Sequence, residues 1–151
     1  VGNGPGGPPL IFYFDTSALV KKYTPEKDSD AILDIWDKAE GIGISKVGFA
    51  EVIAALYRKK REGHFPSPLF RRTLRNFMED WKSFILIEVS PGLEPIIERI
   101  CSRHSLRGFD ALHLASAEIL RDKMNQPVGF VCIDARLREA ADQERFKVLP
   151  P

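Results

Sequence analysis

Residues 10–23 read LIFYFDTSALVKKY, and this stretch decides the fold. Leu10 to Phe14 is a continuous apolar run, the pattern of a strand buried on both faces. Asp15, Thr16 and Ser17 follow at once. All three are good helix N-caps, so a helix is predicted from here to about Tyr23, with Pro25 ending it.

The same alternation recurs along the chain. Asp28 to Glu40 places Ile32, Leu33, Ile35 and Trp36 at helical spacing, and Ile42 to Ile44 reads as a short strand flanked by glycines. Ser45 is a candidate cap for a helix over Val47 to Glu62, which ends in Arg58-Lys59-Lys60-Arg61 before Gly63, a basic last turn followed by a glycine stop. Further helices are predicted over Leu69–Trp81, Pro91–His104, Phe109–Lys123 and Ala135–Asp142. Strands are predicted over Phe84–Val89, Val128–Ile133 and Phe146–Leu149. Helices alternating with strands imply an α/β fold: a three-layer α/β/α sandwich with a central, mostly parallel sheet.

Composition bounds the function. The 151 residues suit one domain, and 44% hydrophobic residues supply a core without staples. A formal charge of +1 excludes a strongly basic nucleic-acid binder but says nothing of local patches. Cys101 and Cys132 have no CxxC spacing and neighbour apolar residues, so they are read as buried free thiols rather than disulfide or zinc ligands. No apolar run reaches the roughly 20 residues of a membrane helix, and no signal peptide is visible. The expectation is a soluble, cytoplasmic protein without a membrane partner. Val1 to Pro9 holds four glycines and three prolines and is expected to be a flexible head, natural or left by cloning, preceding one domain over residues 10–150.

Four acids carry the chemistry. Asp15 and Asp134 each follow an apolar strand and open a helix; Glu51 lies in the first turn or so of its helix, and Asp110 begins the helix before the Val128 strand. Open parallel sheets bind ligands beyond the carboxyl ends of their strands, so the topology can gather all four acids at one edge. Singly, each has a plainer reading: helix caps for the aspartates, a favourable dipole contact for Glu51. Together they would repel unless a cation sat between them. Hard divalent ions with oxygen ligands, Mg²⁺ or Mn²⁺, fit that need, and their chemistry suits hydrolysis of a phosphodiester.

With these residues placed, the runs FYFDTSALVKKY, VGFAEVIAAL, LRGFDALHLASA and FVCIDARL resemble the PIN-domain ribonucleases, and most nearly the VapC-type toxins of toxin–antitoxin systems. The likeness spans Leu10 to Leu149 with the motifs in order. It implies a doubly wound sandwich and a metal-dependent endoribonuclease. Asp15, Glu51 and Asp110 are implied to be ligands of the main Mg²⁺ or Mn²⁺, with Asp134 as a fourth acid acting through water or on a second ion. Thr16 and Ser17 match the small polar pair after the first acid, which would hold a metal water or a phosphate. An RNA substrate, a cognate antitoxin and a homodimer are implied as partners, with the second and fourth helices forming the dimer face and the antitoxin groove.

Around the acids, Arg107 is read as a contact to the scissile phosphate or as a loop arginine bonding a helix end. His113, three residues past Asp110, is read as supporting a ligand or filling the core rather than as a general base. Lys21 and Lys22 reach phosphate or pair with the helix end. Arg58 to Arg61 with Arg71, Arg72 and Arg75 are the dense basic clusters, an RNA path or a solvated face. Phe70, Phe77 and Trp81 are read as core or oligomer contact. The rival function is a non-catalytic PIN-like module that binds RNA or a partner protein; a phosphoacceptor domain fits less well, because Ser17 stands where a dehalogenase-type site needs a second acid.

Overall fold

The computed structural model describes residues 7–151. The expectation of a flexible head therefore falls, for residues 1–6, outside the described part. Five strands alternate with seven α-helices: β1 (Ile11–Phe14), α1 (Thr16–Tyr23), α2 (Ser29–Lys38), β2 (Gly41–Ser45), α3 (Val47–Arg61), α4 (Ser67–Trp81), β3 (Ile85–Ile87), α5 (Glu94–Arg103), α6 (Gly108–Met124), β4 (Val128–Val131), α7 (Ala135–Gln143) and β5 (Lys147–Leu149).

The sheet order is β3-β2-β1-β4-β5, and every neighbouring pair is parallel. The sheet is thus wholly parallel, where the sequence reading expected it mostly so. The chain walks outward from β1 to β3, then returns to place β4 on the other side of β1. That reversal between β1 and β4 is the point where an open α/β sheet leaves a crevice at its carboxyl edge.

Side-chain alternation along β1 explains the three layers. Phe12 and Phe14 enter one core with Leu19, Ile32, Val52 and Phe77, from α1 to α4. Ile11 and Tyr13 enter the other with Ile100, Leu114 and Leu137, from α5, α6 and α7. Successive residues of a strand face opposite sides, so one short apolar run serves both cores. Each fully buried large side chain contributes roughly 1.5–3 kcal/mol. Close approach of α6 to the sheet requires Gly43: a Cβ there would stand 2.5 Å from Leu120 Cδ2. Gly63 takes a φ of 85° just past α3, the left-handed stop expected of it.

Several boundaries differ from the sequence reading. A 3-10 turn over Pro91–Leu93 precedes α5, and α4 begins two residues early with Pro68 in its first turn. Cys132 is buried as expected, but Cys101 is exposed. The buried stripe of this segment runs Leu93, Ile96, Ile97, Ile100, and Cys101 sits beside it on the solvent side of the turn. No helix among the described residues is long and apolar enough to cross a membrane.

Candidate active site

All four acids line one cleft of about 1110 Å³ at the carboxyl edge of the sheet. Asp15 directly follows β1, and its backbone N–H donates to Val131 O at 2.9 Å, extending the β1–β4 ladder to the edge. Asp134 follows β4 after two residues and caps α7, its Oδ2 accepting from Leu137 N at 3.0 Å. Asp110 is the third residue of α6. Glu51 is the fifth residue of α3, past its first turn, which removes the helix-dipole reading offered for it.

The cap reading also divides. Asp15 holds the N-cap position of α1 but makes no side-chain cap bond, accepting instead from Ser17 Oγ at 2.6 Å. Arg107, not Asp110, occupies the N-cap position of α6. Only Asp134 caps with its side chain. Ser45 is not the N-cap of α3, which falls on Lys46, although its Oγ accepts from Val47 N at 3.4 Å.

Glu51 is the most tightly held acid. Its Oε1 accepts from Thr16 Oγ1 at 2.7 Å and from His113 Nε2 at 2.8 Å. Burial pushes the Glu51 carboxyl up, yet those two donors outweigh it and leave the group below the ordinary glutamate range. Asp110 behaves oppositely: burial raises its carboxyl, and the charges of Asp15 and Asp134 raise it further. Asp110 has no hydrogen-bond partner among the described residues, and Asp15, Glu51 and Asp134 each keep one carboxylate oxygen without one. As the side chains stand, no group of three or more His, Cys, Asp or Glu among the described residues encloses a point where an ion could bind.

Cations rim the cleft unequally. Lys21 and Lys59 both pair with Glu26, at 3.1 and 2.8 Å, bridging α1 and α3 at its mouth. Lys22 turns away to Asp80 at 2.7 Å and lies over the Trp36 ring, so it does not reach the acids. Arg58, Arg107 and Arg136 line the cleft and pair with no carboxylate among the described residues. Arg71, Arg72 and Arg75 are not part of its lining.

The PIN domain model matches residues 12–142. The chain belongs to the PIN-domain family. It is similar to Ribonuclease VapC45 of Mycobacterium tuberculosis strain CDC 1551 / Oshkosh and to Ribonuclease VapC49 of strain ATCC 25618 / H37Rv. Each is 32% identical over 143 residues, covering 94% of this chain and 96% of the relative. Among solved structures, a chain of a toxin–antitoxin complex from Klebsiella pneumoniae superposes with a TM-score of 0.62 at 17% identity, covering 92% of this chain and 96% of that one. This likeness shows the shared sandwich fold.

In this PIN domain the sequence reading missed three site residues. Arg136, two positions past Asp134, faces the cleft; that spacing was the available signal. Glu26 lies in the loop after α1, and its contact with Lys59 depends on α3, so no local pattern marks its place at the cleft. Tyr13 looked like one more apolar strand residue, but its hydroxyl bonds both His113 and Ser45. His113 itself supports an acid, one of the two roles read for it.

Proposed function

We propose that this PIN-domain protein is a metal-dependent endoribonuclease and the toxin component of a toxin–antitoxin pair. One observation supports the chemistry above all: four carboxylates share a cleft, three keep an unbonded oxygen, and the fourth, Asp110, is raised by its acidic neighbours. All-oxygen donors with surplus negative charge fit Mg²⁺ or Mn²⁺. Closing them on an ion takes side-chain rotation, which Asp110, held by no hydrogen bond, makes at little cost. Asp15, Glu51 and Asp110 would hold the ion, with Asp134 assisting. When bound, it would supply Lewis-acid stabilisation and an activated water.

The chain's own residues do the rest. Arg107 and Arg136, which line the cleft with the acids, would neutralise phosphate, and Arg58 would extend the positive rim along α3. Thr16 spends its hydroxyl on Glu51, while Ser17 steadies Asp15. Hydrolysis forms one bond from water oxygen to phosphorus and breaks one ester bond, the departing oxygen taking up a proton. The ribonuclease names of two relatives matched across 94% of this chain support RNA as the substrate. The same relatives, with the toxin–antitoxin complex of like fold, support an antitoxin partner. Exposed Leu33 on α2 and Leu69 and Met78 on α4 support a homodimer or antitoxin face. The retained acid set weighs against a non-catalytic RNA- or protein-binding module.

Purified protein incubated with single-stranded RNA and Mn²⁺ or Mg²⁺ is expected to yield internal cuts that stop in EDTA and vanish in Asp15→Asn. Undiminished cleavage in that variant, or in EDTA, overturns the proposal.

A further inference from the structure

A chain of hydrogen bonds runs from the end of β2 through the interior to Glu51 at the cleft. Ser45 N donates to the Tyr13 hydroxyl at 3.0 Å. That hydroxyl lies 2.7 Å from His113 Nδ1. His113 Nε2 lies 2.8 Å from Glu51 Oε1. Tyr13 and Ser45 are wholly buried, and His113 is 1% exposed. Each link fixes the next. The tyrosine oxygen accepts from Ser45 and its hydroxyl faces Nδ1. A carboxylate only accepts, so Nε2 must carry a proton. The geometry therefore makes Nε2–H the donor to Glu51, with Nδ1 facing the Tyr13 hydroxyl.

Two donors then meet on the same carboxylate oxygen, Thr16 from α1 and His113 from α6. Bonds from two different elements to Oε1 fix the plane of the carboxylate and leave Oε2 with no protein partner among the described residues. We infer that His113 is a positioning residue, held by Tyr13 with its Nε2–H on Glu51, that turns Glu51 Oε2 toward the cleft. The consequence for metal binding rests on the proposed function above; the hydrogen-bond chain does not. Groups that orient a ligand commonly change metal affinity 10- to 100-fold when removed.

The test pairs a metal-free measurement with a metal-binding one. Nitrogen-15 NMR of the wild-type imidazole is expected to show Nε2 protonated and hydrogen-bonded. Mn²⁺ titration followed by electron paramagnetic resonance is expected to show affinity lower by about 10- to 100-fold in Tyr13→Phe and His113→Leu. His113→Gln, which keeps a donor near the Nε2 position, is expected to recover most of it. A merely structural histidine would lower the melting temperature in His113→Leu without touching Mn²⁺ affinity, and that result overturns the inference. An Nε2 without a proton overturns the relay whatever the affinity. A wild type that binds no Mn²⁺ overturns the metal reading whatever the spectrum. Should His113→Leu fail to fold, the wild-type spectrum and Tyr13→Phe still decide.

Discussion

Asp110→Asn should make the metal-free protein more stable at neutral pH. Burial and the charges of Asp15 and Asp134 raise this carboxyl, and no hydrogen bond among the described residues would be lost with its charge. Two carboxylates a few ångströms apart repel by about 1 kcal/mol when water screens them well, and by more at a lower effective dielectric. Relief of about 1 kcal/mol shifts the melting temperature of a domain this size by roughly 2–4 °C. The sign with pH follows. A carboxyl raised in the folded state costs stability above its folded pKa and nothing below its unfolded one. The advantage of the variant is therefore full at pH 7 and fades as pH falls through that window. With metal the order reverses. An ion bound only by the folded state at a hundredfold excess over its dissociation constant adds about 2.7 kcal/mol, or roughly 5–10 °C for the wild type. The variant, missing a ligand, gains less. The assay is thermal melting of both proteins at pH 7 and pH 4, in EDTA and in Mn²⁺. A variant less stable than wild type in EDTA, or one gaining as much from Mn²⁺, refutes the reasoning.

Other outcomes follow from single contacts. Glu51 is held low by its two donors, so its contribution to stability is present above its unfolded pKa and lost as pH falls through the folded one; Glu51→Gln should be less stable than wild type at pH 7, with the gap narrowing in acid, as urea melts across pH would read. Phe77, fully buried between Tyr23, Phe49 and Trp81, should cost about 3–5 kcal/mol as Phe77→Ala, measured by the same melts. Arg107→Ala with Arg136→Ala should weaken RNA binding and reduce the slope of log affinity against log salt by roughly one to two, whereas Arg71→Ala with Arg72→Ala, outside the cleft lining, should leave it nearly unchanged.

Local signals carried the architecture. LIFYF announced β1 because a strand buried on both faces has no polar alternate, and Asp15 was placed because it directly follows that run. Asp134 was legible in the same way after the apolar run at β4. What stayed hidden lies between residues far apart in the chain. Tyr13 and His113 are separated by 100 positions and Lys59 and Glu26 by 33, so the hydrogen bond and the ion pair they form exist only once α6 and α3 are packed in place. Glu51 sat one turn further into α3 than the dipole reading needed, and its partners come from α1 and α6, far away in the chain. Cys101 misled because its neighbours are apolar while its helical angle is not theirs. Thr16, read as a contact to substrate or metal water, lines the cleft and donates its hydroxyl to Glu51, a bond that needs α3 in place.

Crystals grown with Mn²⁺ and measured at an X-ray energy where manganese scatters anomalously would locate the ion itself. An anomalous peak is expected in the cleft within about 2.0–2.3 Å of oxygens from Asp15, Glu51 and Asp110. An acid cleft without a peak at saturating Mn²⁺, in protein that still cuts RNA, would contradict the proposed metal site.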